Sequence, residues 1–309
     1  MSKVSIVMAT YNGEKYLREQ LESILASSYE DIEIFVFDDG SKDETIDILR
    51  DYESRLPNKI HLKQNEKNLG VTKNFLQGLC ATSSDYIMFC DQDDVWKPDK
   101  IEATLKRMLQ LEKKTGKDLP LAVFTDATVT DHKLKVISSS FFKSGHLDPK
   151  KTDLAHLLME NKLIGCTIMV NAALRKLLKE HPLPEEARFH DWWVALIGAA
   201  FGGISYLNQQ TLYYRQHGGN LVGNRNYIDY IKNRIFSLTE QKASLDFLQK
   251  QAAEFLKIYG KDLSPEKQKI VFEFSNLRKM SFIKRRTTIL KYGFLKTGLV
   301  RNIGLMIII

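Results

Sequence analysis

Phe89-Cys90-Asp91-Gln92-Asp93-Asp94-Val95-Trp96-Lys97-Pro98-Asp99 follows an apolar run, Tyr86 to Cys90, that is short enough to be a buried strand. The segment ends at a proline that opens a helical pattern, so the acids fall at the carboxyl end of a strand. In extended chain, residues two apart project to the same side. Asp91 and Asp93 can therefore point into one crevice while Gln92 points away. A hard divalent cation such as Mg2+ or Mn2+ takes oxygen ligands and keeps positions open for water and phosphate, so one or two carboxylates at a strand end suit it. Taken alone, the same pattern also fits a solvated acidic turn.

The surrounding chain favours the crevice. The first third alternates short apolar runs with helical patterns, which predicts parallel strands joined by crossover helices. Val4 to Ala9 is the first strand, and Thr10-Tyr11-Asn12-Gly13 turns into a helix with Leu17, Leu21, Ile24 and Leu25 on one face. Ile32 to Phe37 is the second strand, closed by Asp38-Asp39-Gly40-Ser41, with Ser41-Lys42-Asp43-Glu44 placed to cap the next helix. Ile60 to Leu62 leads to Asn65-Glu66-Lys67-Asn68-Leu69-Gly70 and a helix ending near Ala81. Open sheets of this kind bind ligands outside the carboxyl ends of their strands, where Tyr11, Asp39, Asn68 and the Asp91 group all fall.

These motifs resemble glycosyltransferase family 2, the inverting nucleotide-sugar enzymes with a GT-A fold. The resemblance rests on Val4-Ser5-Ile6-Val7 with Tyr11-Asn12, on Asp38-Asp39-Gly40-Ser41, on Asn68-Leu69-Gly70 with Asn74, and on Asp91-Gln92-Asp93, and it covers roughly residues 3 to 220. Phe89 to Pro98, His190-Asp191-Trp192-Trp193 and Tyr214-Arg215-Gln216-His217-Gly218 further resemble the bacterial rhamnosyltransferase branch. The resemblance implies roles. Thr10 and Tyr11 would meet the nucleotide, with Tyr11 stacked on the base and Asp39 accepting its imide N–H. Asn68 and Lys73 would approach from the third strand's loop. Asp91 would hold ribose or sugar, Asp93 would bind the Mg2+ or Mn2+ that bridges the diphosphate, and Asp94 would support them. Arg215 and His217 would close the donor site, as a diphosphate contact and a metal ligand, with Gly218-Gly219-Asn220 as a lid.

An inverting transfer needs one base for the acceptor hydroxyl. Asp191 is the candidate: it stands where the family carries its catalytic carboxylate, at a helix start where the dipole favours the ionised form. The family more often has Glu-Asp here, and His190 departs from that, as an orienting group or a packed ring. Gly165 and Cys166 correspond to a backbone platform on the acceptor side, and Trp192 and Trp193 would offer faces to sugars, although one of them belongs to the core of an apolar helix. Thr125-Asp126, at the end of a strand Leu121 to Phe124, would border the sugar pocket. Asp131 to Lys151 reads as a mobile acceptor-side loop, Asn161 to Val170 as a strand with a glycine bulge, and Leu207 to Tyr214 as the last strand.

The composition, 43% hydrophobic and 27% charged over 309 residues, is ordinary for a globular chain. Cys80, Cys90 and Cys166 lack metal-ligand spacing and read as reduced core residues of a cytoplasmic protein. The chain enters its first strand without a charged leader, which argues against secretion, and no apolar stretch approaches the roughly 20 residues that span a bilayer. From Tyr227 the pattern is helical, through Ile228, Ile231, Ile235 and Leu238 and onward. After Glu273 there is no acidic residue, whereas Arg278, Lys279, Lys284, Arg285, Arg286, Lys291, Lys296 and Arg301 alternate with apolar positions. Such a basic amphipathic tail suits an anionic membrane surface. No nucleic-acid recognition motif accompanies it.

The expected architecture is thus a GT-A, Rossmann-like α/β domain over 1–223 and a helical region with a basic amphipathic extension over 224–309. The expected activity is transfer of a sugar, L-rhamnose from dTDP-rhamnose, to a polyprenyl- or other lipid-linked glycan of a cell-surface polysaccharide, at the inner face of the cell membrane. Another UDP- or dTDP-hexose is the alternative donor, and a catalytically inactive nucleotide-binding membrane scaffold the alternative class. A nucleotidyltransferase would carry a glycine-rich basic loop where this chain has Thr10 to Gly13. Oligomeric state stays open.

Overall fold

The computed structural model describes residues 2–217 and 238–309. Its centre is a nine-stranded sheet in which four parallel strands, β3 (Ile60–Gln64), β2 (Ile32–Asp38), β1 (Val4–Thr10) and β4 (Tyr86–Cys90), lie side by side in that order. Their register puts Thr10 beside Asp38 and Met8 beside Cys90, so the strands end together. The sheet continues through β8 (Met169–Asn171), β6 (Leu121–Thr130), β9 (Gly203–Arg215) and a two-residue β5 (Val95–Trp96), with β7 (Val136–Ser138) alongside β6. β8 runs antiparallel to both neighbours, and β9 is parallel to β6.

Crossover helices cover the sheet because their apolar spacing matches the helical period. In α1 (Glu14–Leu25), Tyr16, Leu17, Gln20, Leu21 and Ile24 are buried, and in α2 (Thr45–Arg55) Ile46, Ile48, Leu49 and Tyr52. α3 (Val71–Ala81) approaches the sheet closely at Gly78, where an added Cβ would lie 2.6 Å from Val7 Cγ1 and 2.9 Å from Phe37 Cδ2. α4 (Lys100–Thr115) follows β5. Short α5 (Phe141–Ser144) and α6 (Leu154–Met159) precede a 3-10 turn at Gly165–Thr167, and α7 (Ala172–Lys179) and α8 (His190–Phe201) complete this part.

The helical remainder shares the same core. α9 (Leu238–Tyr259) lies against α8, with Phe255 and Tyr259 ring centroids 5.3 and 6.1 Å from that of Trp193. α10 (Pro265–Ser275), α11 (Phe282–Tyr292) and α12 (Leu299–Ile308) follow. The tail is tied back through Glu160. Its Oε1 accepts from Arg301 Nη1 at 3.1 Å, its Oε2 accepts the Thr297 amide at 2.8 Å, and Lys162 pairs with the same carboxylate. Burial alone would raise the Glu160 carboxyl, but the Lys162 and Arg301 charges hold it below its ordinary value. Phe294, Leu305, Ile308 and Ile309 are buried.

Several sequence expectations need correction. The strand expected to stop at Phe124 runs to Thr130, because Ala127 and Val129 continue its buried alternation with Thr128 and Thr130. Asp126 is therefore mid-strand. It accepts from Ala127 N, Phe141 N, Ser140 Oγ and Gln210 Nε2, which makes it an internal strut and not a pocket border. The region 131–151 contains β7 and α5, with Phe142 buried. Around Gly165 the backbone forms a 3-10 turn, not a bulged strand, and the last strand begins at Gly203, before Leu207. Ser41 does not cap α2: its hydroxyl bonds the Asp38 carboxylate and accepts the Asn12 amide. Lys296 and Arg301 are packed inside the protein. Gly218, Gly219, Asn220, Tyr227, Ile228, Ile231, Ile235 and the expected 223/224 boundary lie outside the described residues.

A methyl group at Gly78 overfills the α3–sheet contact, which by comparison with overpacked cores costs about 1–3 kcal/mol. Gly78→Ala is expected to lower the denaturation midpoint accordingly in chemical unfolding. An unchanged midpoint would show that α3 does not sit this close to β1 and β2.

Candidate active site

The parallel strands deliver their polar ends to one edge. At the end of β1, Thr10 is buried and donates its hydroxyl to Asp38 Oδ2 at 2.9 Å, so it braces the next loop and does not face a ligand. Tyr11 is 48% exposed, and its backbone is held by Gln92 in both directions, N to Oε1 at 2.8 Å and O to Nε2 at 3.1 Å. Residues 92 and 93 form a turn after β4, so strand alternation does not extend to them; Gln92 turns to the Tyr11 backbone, and the space it enters exists because residue 13 is glycine. An added Cβ there would lie 2.3 Å from Gln92 Oε1.

At the end of β2, Asp39 is buried and ties two loops together. Its Oδ1 accepts the Leu69 amide at 2.7 Å and Asn65 Nδ2 at 3.0 Å, and its Oδ2 accepts the Gly70 amide at 2.8 Å. A carboxylate oxygen with one such partner retains room for a further N–H donor. Asn68 folds back on the same loop, donating to Asp39 O and accepting from Gly70 N. Lys73 pairs with Glu185, on the segment leading to α8, and both line a cavity of about 270 Å³ with Gly70 and Pro184.

The end of β4 concentrates charge. Asp91 is half-buried, and burial together with Asp93 and Asp191 pushes its carboxyl up to about 7. Asp93 Oδ2 stands 2.7 Å from His217 Nε2. Asp94 is fully buried. Its Oδ1 accepts the Arg215 amide at 3.1 Å, its Oδ2 has no hydrogen-bond partner among the described residues, and burial raises its carboxyl well above the ordinary range. Arg215 reaches β4's loop from β9. Its Nε donates to Asp93 O at 2.8 Å, Nη1 donates to His132 O at 2.9 Å, Nη2 pairs with Glu19, and the guanidinium lies 4.5 Å from the Tyr16 ring centroid. Only 2% of Arg215 is exposed, so it supports the acids and does not present itself to a diphosphate.

Sequence reading missed Lys100. It is fully buried in the first turn of α4, donates to Thr211 Oγ1 at 3.3 Å, and stands 4.7 Å from the Trp96 ring centroid. Burial lowers its ammonium to about 8, while Cys166, Cys90 and Asp94 act in the other direction. A cation in a helix's first turn opposes the helix dipole, and that local conflict was the available signal.

Asp191 is in the first turn of α8, where its Oδ1 accepts the Trp192 amide at 2.6 Å. The dipole was expected to favour its ionised form, yet burial outweighs this and pushes the carboxyl up to about 7. His190 does not orient it. The imidazole stacks on Phe75 at 3.9 Å between centroids, meets Phe89 edge-on at 4.9 Å, and has no hydrogen-bond partner for either nitrogen among the described residues. Burial drives its pKa down to about 3, so it packs as a neutral ring. Gly165 leaves space for that ring, since a Cβ would come within 2.9 Å of His190 Nε2. Cys166 is buried and has its sulfur within 4.8 Å of carboxylate oxygens of Asp91 and Asp94, beneath the acids instead of on an acceptor face.

The two tryptophans depart from the acceptor-side expectation. Trp193 is fully buried against α9, and Trp192, 6% exposed, donates its indole N–H to Leu157 O. Neither presents a face to a sugar. The segment before Asp191 is gripped by α9. Glu254 accepts the Glu185 and Glu186 amides, Gln251 Oε1 accepts the Arg188 amide at 2.8 Å, and Arg188 Nη1 reaches Ser244 Oγ at 2.7 Å.

Asp91, Asp94 and Cys166 bring one ligand atom each within 4.8 Å of one another, and Asp93 next to them pairs with His217; the carboxylates and the imidazole are donors that suit a divalent cation such as Mg2+ or Mn2+. The orphaned Asp94 Oδ2 and the mutual repulsion of the acids are what such a charge would relieve. The Cys166 thiol, held well above its ordinary value by burial, stays protonated and suits a hard cation poorly. Calorimetric titration of Mn2+ with a nucleoside diphosphate present is expected to show binding that falls about tenfold or more in Asp93→Asn and in His217→Ala. Equal affinity in the variants would remove both from the ligand set.

Comparison with known proteins agrees with this geometry. Residues 5–175 match the family described as "Glycosyl transferase family 2". The dTDP-rhamnosyl transferase RfbG of Shigella flexneri is 28% identical over 230 residues, covering 70% of this chain and 73% of that protein. An uncharacterised glycosyltransferase of Nostoc sp. is 28% identical over 223 residues, 71% of this chain and 66% of its own length. Among solved structures, Staphylococcus aureus TarS 1–349 superimposes with a TM-score of 0.56 at 20% identity, over 98% of this chain and 77% of that one. A Pyrobaculum calidifontis mannosyltransferase, in complex with GDP-Man and Mn2+, gives 0.56 at 14% identity, over 94% and 73%. At these identities the structures speak for the fold, GT-A, and the family match over more than half of the sequence settles membership: the chain belongs to glycosyl transferase family 2.

Proposed function

We propose that the protein is an inverting, metal-dependent glycosyltransferase that transfers L-rhamnose from dTDP-rhamnose to a lipid-linked precursor of a cell-surface polysaccharide. The observation that carries the reading is the placement of Asp191, a carboxyl tuned to about 7, within electrostatic reach of the Asp91–Asp93 group at the carboxyl edge of the parallel strands. A base that works near neutral pH needs a pKa near neutral pH. The resemblance of the sequence to the rhamnosyltransferase branch, and the likeness to a protein named for dTDP-rhamnosyl transfer, support the donor.

In this reading the exposed Tyr11 ring stacks on the pyrimidine and Asp39 Oδ2 accepts the imide N–H. Asn68 and Lys73 border the nucleotide, with Lys73 released from Glu185 when phosphate arrives. Asp91 orients the donor sugar. Asp93 and His217 hold Mg2+ or Mn2+, which when bound neutralises charge developing on the diphosphate leaving group. Asp191 removes the proton from the acceptor hydroxyl as that oxygen attacks the anomeric carbon opposite the diphosphate. Arg215 and Lys100 hold the acids in place from beneath. The division into a catalytic region, 1–223, and a helical region, 224–309, is retained as a functional one, and the enzyme works at the inner surface of the cell membrane.

Calorimetry with dTDP, UDP, GDP and dTDP-rhamnose, with Mn2+ and with chelator, tests the donor. Metal-dependent binding confined to dTDP and dTDP-rhamnose is the expected result. Preference for UDP would replace rhamnose by another hexose, and absence of nucleotide binding would leave an inactive scaffold.

Asp191→Asn is expected to reduce transfer at least about a hundredfold, the low end of the usual general-base contribution, while nucleotide affinity is kept. In the wild type, kcat/KM should rise with pH and reach half its plateau near pH 7, because the base must be ionised to accept a proton. Retention of most activity in Asp191→Asn would reassign the base.

A further inference from the structure

The face formed by α11 and α12 has no partner among the described residues. Leu305 and Ile308 anchor α12 inward, while Leu299, Val300, Ile303 and Ile307, at helical spacing on the other side, are 76, 57, 52 and 70% exposed. On α11, Phe282, Ile283 and Leu290 are 67, 74 and 64% exposed. The two rows meet, since Phe282 and Ile307 line one cleft of about 340 Å³ between α9, α11 and α12. Single exposed apolar residues are ordinary, but two adjoining rows are the sign of an interaction surface.

Charge identifies the partner. Lys242, Arg278, Arg285 and Arg286 line the same cleft, whose one acidic side chain, Asp246, already pairs with Arg278. Arg285 Nε is buried with no acceptor among the described residues. Lys279, Lys284 and Lys291 are exposed on or beside α11, and no acid occurs after Glu273. An apolar row flanked by unopposed cations matches the interface of an anionic bilayer, where apolar side chains enter the acyl boundary and cations sit at phosphate level. A protein partner would have to be acidic and apolar together, and a second copy of this face would oppose like charges. No helix among the described residues is long and apolar enough to cross a membrane, so this contact is peripheral.

We infer that α11 and α12 form a monotopic docking face for an anionic phospholipid surface, with the basic cleft seating a headgroup phosphate. This deepens the membrane reading above by naming the face, and it rests on that reading for its biological sense. The face also bears on the active site mechanically. α9, which walls the cleft through Lys242, Leu245 and Gln249, is the helix whose Gln251 and Glu254 grip the segment before Asp191. A docked α11–α12 layer would therefore hold the base at a fixed attitude to the bilayer from which a lipid-linked acceptor projects.

The test is co-sedimentation of the full chain with vesicles of phosphatidylglycerol and phosphatidylcholine, and of phosphatidylcholine alone. Two variants accompany it, Leu299→Ser/Ile303→Ser/Ile307→Ser and Lys279→Glu/Lys284→Glu, all at exposed positions that leave the core intact. Nucleotide binding, measured in parallel without lipid, reports folding and the donor site. The wild type is expected to bind anionic vesicles and to lose affinity by about tenfold or more in each variant and in high salt, with nucleotide binding unchanged. Failure of the wild type to sediment, or variants that bind as well as it does, would overturn the face. So would a wild-type dimer that the serine variant turns into monomer without any vesicle binding. Vesicle binding without nucleotide binding would instead sink the transferase reading and leave the face standing.

Discussion

Three carboxylates within four residues at the end of a buried strand cannot hold their charge unless cations arrive from elsewhere in the fold. Burial and mutual repulsion push Asp91 and Asp94 upward, and the protein answers from two directions. β9 delivers the Arg215 guanidinium to the Asp93 carbonyl and the Arg215 amide to the Asp94 carboxylate, and α4 delivers Lys100 beneath them. Neither cation is within a hundred residues of the other. The long pairing of β9 with β6, the antiparallel β5 and the start of α4 are the elements that bring them there. Compensation remains partial, because Asp94 Oδ2 is left without a partner and Asp91 stays near 7. Incomplete compensation at a cleft is the mark of a site built to receive a further positive charge.

The sequence disclosed the parts whose cause is local. Alternating strand and helix patterns, glycine-bearing turns and acids at strand ends follow from backbone periodicity, and β1 to β4 with their helices lie where that periodicity puts them. The same periodicity placed Asp39, Asp91 and Asp93 at strand ends, whereas Asp191 was singled out by the family resemblance and not by any pattern. What stayed hidden depends on partners far along the chain. Arg215 looked like a ligand contact because arginine can pair with a diphosphate and the family resemblance put it at the donor site; only the folded β9 shows its guanidinium shared among His132, Glu19 and Asp93. Trp192 and Trp193 looked available because the pattern of α8 is apolar all round, which fixes burial but not against what; α9 supplies the answer. Lys100 was hidden by its residue type, since a lysine at a helix start is read as solvated.

The helices after residue 238 are more than an appendage. Trp193, Phe255 and Tyr259 form one aromatic contact between α8 and α9, and the same α9 carries the acceptors for the backbone of 185–188. The residues just before Asp191 are thus fixed by the C-terminal region as much as by the sheet. Glu160 closes the arrangement from the other end, joining the chain before Gly165 to Thr297 and Arg301. Of the tail's basic residues, Lys296 is buried, Arg301 is held by Glu160 and Gly145, and Arg278 pairs with Asp246, while Lys279, Lys284 and Lys291 stay exposed on or beside α11.

The tail's apolar residues separate by burial as its basic ones do: on α12, Leu305 and Ile308 face inward and Leu299, Ile303 and Ile307 outward. The inward row needs the catalytic region for a partner and so fixes where the outward row faces. In the proposed docking, a surface rigidly joined to the helix that grips residues 185–188 would turn orientation at the bilayer into orientation of Asp191, so that the fold and not the length of a linker would set the approach angle of an acceptor.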